Sequence, residues 1–291
     1  MSRATGEPAA GESVTTGKPG LAGDPVPAQD PGPALEAADD WDGHWQDFGE
    51  ITEHNPAQAY RRRLILKLLG AGPGSCIVDI GSGQGDLAAA VHEAIPEAEL
   101  LGLELGASGV AMAAAKVPTG TFLCVDLLDC ADVPDAYLGW GTHAICSEVL
   151  EHVDDPVALL RSAARFLAPG ARLVVTVPGG PRSAFDVHIG HRRHYTTADL
   201  RDVLERAGFA VVETAAAGFP VFNLYRLTVI ARGRSLVDDL RASDHRRSSG
   251  LARAVLAAFG PLFRLNLRSR WGWQIVAVAA APAPTPAPDG P

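Results

Sequence analysis

The chain has 291 residues, of which 47% are hydrophobic, and a formal net charge of −9 at pH 7. This apolar content is enough for a substantial core, and the acidic balance argues against general nucleic-acid binding by the whole surface. The charge is uneven, however, because residues 223–270 contain ten arginines and three aspartates. No run of about 18 apolar residues is present, so the sequence predicts no membrane-spanning helix.

Both ends of the chain have the composition of disordered segments. Residues 1–38 and 282–291 contain almost no large apolar side chains, so they cannot bury enough surface to offset the entropy of ordering. We therefore expect one folded domain over residues 39–281. The four cysteines show no zinc spacing, and no signal peptide is visible at the start of the sequence. These features predict a cytoplasmic protein with reduced thiols.

The folded domain is expected to begin with a helical lid over residues 39–70. Trp41, Trp45 and Phe48 are spaced four and three residues apart, which suits one face of a helix. A second helix is predicted over residues 60–69 and ends at Gly70. These aromatic side chains would either pack the lid onto the domain or line a substrate pocket.

From residue 75 onward, strand-like apolar runs alternate with helical patterns. Strands are predicted at 75–80, 99–104, 121–125, 142–147, 171–177, 209–215 and 273–280, and helices at 85–95, 107–116, 156–168 and 197–207. This alternation predicts an α/β fold with a Rossmann-like, doubly wound sheet covered by helices on both faces. Ligands of such sheets bind at the carboxyl ends of the strands.

A helical insertion over residues 220–270 is predicted before the last strand. Its segment 251–265 is helical in pattern, apolar and basic. It would form a cap over the site, a contact between two copies in a homodimer, or a helix in peripheral contact with a membrane surface.

The first predicted strand leads into a glycine-rich loop and then a helix, an order typical of a nucleotide cradle. The glycines have a GxGxG spacing and are Gly81, Gly83 and Gly85. A dinucleotide fingerprint would need glycine at Asp86, and a phosphate-binding P-loop would need a following GK[ST]. Asp79 and Asp86 would repel a pyrophosphate but favour a cationic ligand such as S-adenosylmethionine, which has a sulfonium and an ammonium group.

Acidic residues also end the next two predicted strands. Glu104 follows the glycines by about twenty residues, a spacing suited to an acid that accepts hydrogen bonds from both ribose hydroxyls. Asp126 would accept a hydrogen bond from the adenine amino group, and Leu127 would pack on the ring. The predicted cofactor-binding residues are Asp79, Gly81, Ser82, Gly83, Gly85, Glu104, Leu105, Asp126, Leu127 and Ser147.

These residues resemble those of class I S-adenosylmethionine-dependent methyltransferases. The segments that carry the resemblance are Val78–Gly85, Glu104, Asp126, Ser147–Val153 and Leu167–Val174. The resemblance covers about residues 60–215 and implies a seven-stranded sheet with one antiparallel strand, which residues 273–280 would supply or flank. It does not identify the methyl acceptor.

The fourth predicted strand is followed by Glu148, Glu151 and His152, at positions i, i+3 and i+4. If the turn there is helical, the three side chains share one face. They would then form a polar surface with His152 packed under the cofactor, include a general base, or bind a divalent metal ion.

A second polar cluster, residues 188–195, contains three histidines and two arginines. His191, His194 and Tyr195 are the candidate catalytic residues, with structural hydrogen bonding as the alternative. Arg192 and Arg193 would pair with an anionic acceptor or face solvent.

The Glu-x-x-Glu-His pattern, followed later in the chain by a histidine, is similar to the pattern of metal-dependent small-RNA 2′-O-methyltransferases. The Glu-x-x-Glu-His part without the later histidine also resembles ubiquinone-pathway O-methyltransferases. The resemblance implies Mg²⁺ bound by Glu148, Glu151, His152 and His191. The function we expect is methyl transfer from S-adenosyl-L-methionine to a small molecule, at a hydroxyl oxygen. The alternatives are an RNA 2′-O-methyltransferase, an N- or C-methyltransferase acting on a lipid-like or anionic molecule at a membrane surface, and a binding module without catalysis.

Overall fold

A computed structural model describes residues 55–129, 133–242, 262 and 269–283. The helices are α1 (Pro56–Leu69), α2 (Asp86–Ala94), α3 (Ala107–Lys116), α4 (Pro156–Ala164), α5 (Ala184–His188), α6 (Thr197–Arg206) and α7 (Val221–Ala242). The strands are β1 (Cys76–Ile80), β2 (Glu99–Glu104), β3 (Thr121–Cys124), β4 (Gly141–Ser147), β5 (Leu167–Pro178), β6 (Ala210–Ala217) and β7 (Gln274–Ala280). A short 3-10 helix covers Asp135–Tyr137.

The strands form one seven-stranded sheet in the order β3-β2-β1-β4-β5-β7-β6. Strand β7 is antiparallel to both of its neighbours, β5 and β6, and the pairs among β1 to β5 are parallel. The predicted fold class is confirmed, and residues 274–280 supply the antiparallel strand. The strand order changes direction between β1 and β4, so a ligand crevice is expected at their carboxyl ends.

Both faces of the sheet are covered, because its central strands bury side chains on each side. Leu160 of α4 and Leu200 of α6 belong to the cluster on one face, and both are fully buried. Ile65 of α1 and Val91 of α2 belong to the cluster on the other face. Two apolar layers around a parallel sheet explain why the strands appear in the sequence as continuous apolar runs.

Helix α1 is longer than the sequence pattern predicts. It begins at Pro56 because the Asn55 side chain accepts a hydrogen bond from the backbone N–H of Ala57 at 2.9 Å, and it ends at Gly70, whose φ is +66°. The helix predicted to continue to residue 168 ends at Ala164, because β5 already begins at Leu167. The short helix α5 was not predicted; it starts at a capping box formed by Ser183 and Asp186.

The insertion begins with α7, which has non-helical backbone angles at Gly233. The segment 251–265 lies outside the described residues apart from Leu262, as do Trp41, Trp45, Phe48, residues 1–38 and residues 284–291. The cap, dimer and membrane-surface interpretations therefore stay predictions. None of the described helices is long and apolar enough to cross a membrane.

Candidate active site

The glycine loop turns sharply where β1 ends. Gly85 has a φ of +82°, and a Cβ atom there would lie 2.7 Å from Cα of Ala113 in α3, so only glycine fits without a shift of backbone. The N–H groups of Gly81 and Ser82 donate to the carbonyl oxygen of Leu103 at 2.8 and 3.1 Å. These contacts hold the loop against the end of β2.

Glu104 joins this loop to the loop that follows β2. Its carboxylate accepts hydrogen bonds from the N–H groups of Gly83 at 2.8 Å and Gly106 at 3.0 Å, and the side chain is buried. Charged acceptors of this kind make strong hydrogen bonds. Glu104 therefore shapes the cradle in addition to facing the cavity beside it.

Two leucines offer apolar surface to a flat ring on the same side of the cavity. Leu105 is 47% exposed and Leu128 is 48% exposed, and both line the cavity. Leu127, the predicted ring contact, also lines the cavity but is only 7% exposed and belongs to the core. The sequence did not single out Leu128, because it is adjacent to Leu127. In the structure, Oδ1 of Asp126 accepts a hydrogen bond from the N–H of Leu128 at 2.8 Å, and the resulting turn leaves Leu128 more exposed than Leu127.

The acidic residues near the glycine loop differ in their surroundings. Asp79 is 3% exposed, and its Oδ2 has no hydrogen-bond partner among the described residues. Burial, together with the charge of Glu104, raises the pKa of Asp79 to about 7. Asp86 forms an ion pair with Lys116 and accepts a hydrogen bond from Gln84, so its charge is compensated. The argument for a cationic ligand therefore depends on Asp79.

Glu148 leaves β4 in an unusual backbone conformation. Its φ is +58°, and among the described residues it is the one non-glycine residue with a positive φ. Its Oε1 accepts a hydrogen bond from Nε2 of Gln274 at 2.9 Å, and its Oε2 lies 3.5 Å from Nη2 of Arg61. The segment is a turn rather than a helix, so the condition under which Glu148, Glu151 and His152 would share one helical face is not met.

The turn places Glu151 and His152 next to His191 instead. One ligand atom from each of these three residues lies within 4.8 Å of the others, and Nε2 of His191 is 3.9 Å from Oε1 of Glu151. Asp186, His191 and His194 form a second such group. Glu148 belongs to neither group, because Gln274 and Arg61 hold its carboxylate elsewhere.

Four contacts fix the loop that carries His191. The N–H of Arg192 donates to the carbonyl oxygen of Glu151 at 2.8 Å, and the Tyr195 hydroxyl donates to that of Leu150 at 2.9 Å. Nη2 of Arg193 donates to the carbonyl oxygen of Asp154 at 3.0 Å, and Arg192 also forms an ion pair with the Asp154 carboxylate. Both arginines therefore hold two loops together rather than facing solvent alone.

The three candidate catalytic residues have different positions. His191 lines the cavity, whereas His194 and Tyr195 are absent from its lining. Tyr195 is 4% exposed, and burial raises the pKa of its hydroxyl. Its hydroxyl donates to a backbone carbonyl, which is a structural role. His194 lies behind His191, with 3.3 Å between its Nε2 and Nδ1 of His191.

Asp186 and Arg226 belong to the site but were not found in the sequence. Nη2 of Arg226, in α7, lies 2.9 Å from both oxygens of the fully buried Asp186 carboxylate. Burial alone would raise the pKa of Asp186, but the hydrogen bonds from Arg226 and Ser183 lower it to about 2. The Ser-x-x-Asp capping pattern at Ser183 was the available signal, whereas nothing in the sequence indicates the pairing with Arg226.

Burial shifts the pKa values of the central pair in opposite directions. It raises the pKa of Glu151 well above its usual range, with a further contribution from the Glu148 charge. Burial and the neighbouring His152 lower the pKa of His191 to about 2. Both groups therefore favour their neutral forms when nothing is bound between them.

One cavity of about 370 Å³ includes both the glycine loop and the histidine cluster. At the cluster end, α7 contributes an apolar wall through Phe222, Tyr225 and Val229, spaced three and four residues apart so that they share one helix face. Trp273 and Phe185 add aromatic surface. The cavity volume falls in the range of small-molecule sites.

The fold and the cavity at the carboxyl ends of β1, β2 and β4 define a class I methyltransferase architecture. Residues 52–214 match the family described as "Methyltransferase domain", and because this match covers more than half of the chain, the protein belongs to that family. The predicted membership of a methyltransferase family is confirmed.

Similar proteins include two with the name ubiquinone biosynthesis O-methyltransferase. The one from Sodalis glossinidius (strain morsitans) is 30% identical over 130 residues, which cover 44% of this chain and 51% of that protein. The one from Aeromonas salmonicida (strain A449) is 27% identical over 204 residues, or 63% of this chain and 83% of that protein. The chain thus spans about half the length of the Sodalis relative.

Among solved structures, the chain resembles geranyl diphosphate C-methyltransferase from Streptomyces coelicolor A3(2), a complex with Mg²⁺, geranyl diphosphate and S-adenosyl-L-homocysteine. The TM-score is 0.50 at 16% identity, with 77% of this chain and 79% of that chain covered. At this identity, the likeness shows a common fold.

Proposed function

We propose that the protein transfers the methyl group of S-adenosyl-L-methionine to a hydroxyl oxygen of a small-molecule acceptor. The observation that carries the proposal is the single cavity that includes Asp79, Glu104 and His191. Methyl transfer is an in-line displacement, so donor and acceptor must lie end to end in one enclosed space. The names of the two ubiquinone biosynthesis relatives support an oxygen acceptor.

The cofactor is expected to occupy the glycine-loop end. The Glu104 carboxylate would accept hydrogen bonds from the ribose, and Leu105 and Leu128 would sandwich or flank the adenine ring. The buried carboxylate of Asp79 would lie near the cationic end of the molecule, where its negative charge is compensated. Ser147, whose hydroxyl is 2.9 Å from that of Thr176, would contact the methionine part.

The acceptor is expected at the end lined by α7. As the methyl group moves from sulfur to oxygen, the cofactor loses its positive charge, and the proton of the acceptor hydroxyl must leave. His191 is the group that can take this proton, because it lines the cavity and its neutral ring has one nitrogen with a lone pair. Glu151 lies behind it, with its Oε1 3.9 Å from Nε2 of His191, where an ionised carboxylate would stabilise the imidazolium that forms. The apolar wall formed by Phe222, Tyr225 and Val229 favours an acceptor with an apolar body.

A divalent metal ion fits part of this arrangement. Glu151 is fully buried, and no other residue among those described donates a hydrogen bond to either of its carboxylate oxygens, as expected for a group that binds a cation. Glu151, His152 and His191 would hold the ion, which would lower the pKa of the acceptor hydroxyl and orient it. One carboxylate and two imidazoles suit a transition metal better than Mg²⁺, which prefers oxygen ligands, since Glu148 is held by Gln274.

The first test is isothermal titration with S-adenosylmethionine, followed by mass spectrometry of a panel of hydroxyl, amine and activated-carbon acceptors that share an apolar body. We expect cofactor binding and a mass increase of one methylene unit on hydroxyl acceptors. Absence of cofactor binding by the pure protein would contradict the whole proposal. Methylation of amines or carbons alone would contradict the choice of oxygen.

The metal is tested separately by measuring turnover after chelation and after re-addition of Mg²⁺, Mn²⁺ or Zn²⁺. Recovery with Mn²⁺ above that with Mg²⁺ is the expected result. If chelation leaves turnover unchanged, the metal part of the proposal is wrong and proton transfer to His191 alone is favoured.

An RNA acceptor is disfavoured by the pairing of the arginines around the site. Arg226 binds Asp186, Arg192 binds Asp154, and Arg61 lies 3.5 Å from Glu148, so their charges are already compensated. Binding of short RNA that weakens strongly with salt would revive this alternative.

A further inference from the structure

His194 is connected to the backbone on the side away from His191. Its Nδ1 lies 3.0 Å from the carbonyl oxygen of Gly180. A carbonyl oxygen can only accept a hydrogen bond, so Nδ1 of His194 must carry a proton. At neutral pH an imidazole with the ordinary pKa of about 6.5 is mostly neutral. In a neutral ring with its proton on Nδ1, the other nitrogen, Nε2, has a lone pair.

This lone pair determines the proton position on His191. Nε2 of His194 is 3.3 Å from Nδ1 of His191, so one of the two nitrogens must donate. Because His194 Nε2 is the acceptor, His191 Nδ1 is the donor, and the lone pair of a neutral His191 is on Nε2. The opposite tautomer would place two lone pairs against each other at this contact.

The charge closest to Nδ1 of His191 agrees with this assignment. Nδ1 of His191 lies 3.8 Å from Oδ1 of Asp186, whose negative charge favours an N–H group on that side of the ring. The same carboxylate, that of Asp186, also lies 4.0 Å from Nε2 of His194, which is slightly farther. Nε2 of His191 lies 3.9 Å from Oε1 of Glu151, which is too far for a hydrogen bond. The lone pair of Nε2 and the carboxyl group of Glu151 face each other at this distance, so there is room between them for the carboxyl proton or for a metal ion.

We infer that His194 is a positioning residue that fixes the tautomer of His191, with the proton on Nδ1 and the lone pair of Nε2 facing Glu151. The relay consists of the Gly180 carbonyl, His194 and His191. The tautomer is a property of the protein alone, whereas its use in methyl transfer rests on the proposed function. In that reaction, the O–CH₃ bond forms as the S–CH₃ bond of the cofactor breaks, and Nε2 of His191 accepts the hydroxyl proton.

The test is ¹⁵N nuclear magnetic resonance of full-length protein labelled in its histidine rings, without acceptor or metal. The ¹⁵N shifts separate protonated from unprotonated ring nitrogens, and a His191→Gln variant assigns the His191 signals. We expect Nδ1 of His191 to carry the proton and Nε2 to be unprotonated at neutral pH. A His191 ring with its proton on Nε2 overturns the inference.

Two variants of the relay residue sharpen the test. His194→Leu removes the acceptor, so the Nε2-protonated form of His191 should become populated. His194→Gln can keep both contacts, since its amide oxygen accepts from His191 and its NH₂ group donates to Gly180, and it should retain the wild-type tautomer. If His194→Leu leaves the His191 tautomer unchanged, the inference is wrong. Should that variant not fold, the wild-type and His194→Gln spectra still decide.

His188→Leu is the matched control, because His188 lies in the same segment, is exposed and does not line the cavity. It should leave the His191 spectrum unchanged. In turnover assays, His194→Leu should lower kcat about 10–100-fold without changing the dissociation constant of S-adenosylmethionine, and His194→Gln should recover most of the loss. Absence of cofactor binding by the wild type would contradict the proposed function but would leave the tautomer measurement valid.

Discussion

The two ends of the cavity are built from contacts of very different range along the chain. The cofactor end depends on turns that follow neighbouring strands, and its defining hydrogen bond joins Gly83 and Glu104, which are 21 residues apart. The acceptor end depends on side chains from distant segments: Arg61 and Gln274 are 213 residues apart, and Gln274 and Glu148 are 126 apart. The cofactor end is therefore a local property of the sequence, whereas the acceptor end requires the complete fold.

The two ends have one electrostatic feature in common, although the residues around it differ. At the cofactor end, the buried oxygen of Asp79 has no partner among the described residues, so a cationic ligand can compensate it. At the acceptor end, Arg226 pairs with Asp186, and the unpartnered carboxylate is that of Glu151. Each end thus has one buried carboxylate that a cation would stabilise, and mutations should affect cofactor binding and turnover separately.

The largest expected effect is at the acceptor end. Glu151→Gln keeps the shape of the side chain but removes the carboxylate that would stabilise the imidazolium of His191 or bind a metal ion, so kcat should fall about 10²–10⁴-fold. The dissociation constant of S-adenosylmethionine, measured by isothermal titration, should stay within about twofold. Glu205→Gln, an exposed glutamate of α6, is the control. A fall in cofactor affinity equal to the fall in kcat would show that the two ends are not separable.

For Glu104→Ala, we expect the opposite result: weaker cofactor binding with little change in turnover. Loss of the charged acceptor for the N–H groups of Gly83 and Gly106, and of the ribose contact, should weaken S-adenosylmethionine binding by about 1.5–3 kcal/mol. Turnover at saturating cofactor should change much less. Glu99→Ala, at the exposed start of the same strand, should change neither quantity. Unchanged affinity in Glu104→Ala would rule out the proposed cofactor position.

Gly85→Ala tests whether the cradle depends on close backbone packing. Alanine would be strained at the positive φ and would also collide with Ala113. The collision should lower the free energy of unfolding by about 1–3 kcal/mol in addition to the loss caused by the strained φ. Gly170→Ala provides the strain without the collision, since its φ is +73° and nothing lies within 4 Å of an added Cβ. Chemical denaturation of both variants measures the difference. Equal destabilisation would show that the contact with α3 is not important.

The smallest expected effect is a pH dependence at Asp79. Its pKa is raised to about 7 in the folded protein, so the folded state favours the protonated acid, and this contribution to stability is present at low pH and lost as the pH rises through about 7. A cationic ligand binds the ionised form better. Affinity for S-adenosylmethionine should therefore rise with pH up to about 7, by at most about tenfold per unit.

Isothermal titration across this range, in buffers of different ionisation enthalpy, measures both the affinity and the proton released on binding. Asp79→Asn should remove the pH dependence and bind more weakly at high pH. A wild-type affinity that is flat between about pH 5 and pH 8 would mean that Asp79 does not face the cationic part of the cofactor.

The alternation of strand-like and helical patterns was sufficient to predict the sheet. Strands buried on both faces appear as short continuous apolar runs, whereas apolar residues in the helices between them recur every three to four residues. The position of three predicted cofactor-binding residues at the strand ends could also be predicted, since Gly81 directly follows β1, Glu104 ends β2 and Asp126 lies two residues after β3. Their contact with the cofactor stays a prediction. The contact between Leu127 and the adenine ring stays a prediction, and a local turn adds a second candidate: Leu128 is the more exposed of the two leucines, because Asp126 accepts a hydrogen bond from the N–H of Leu128.

The acceptor end was predictable only in part. The presence of His191 near Glu151 and His152 was expected from a pattern, but the helical turn used to group Glu148 with them does not form, since Glu148 has a φ of +58°. The pairing of Arg226 with Asp186 could not be predicted, because nothing local marks two residues 40 positions apart as neighbours. The same holds for Gln274, which is fully buried and bonds to Arg61 and Glu148.

Gln274 begins β7, the strand inserted between β5 and β6, and this position has a consequence for synthesis on the ribosome. The segments that form the cofactor end are all translated before residue 150. The acceptor end stays incomplete until Gln274 has left the ribosomal tunnel, because Glu148 and Arg61 lack their shared partner until then. A nascent chain can therefore assemble the donor side long before it can position an acceptor, which delays catalysis until the last strand is in place.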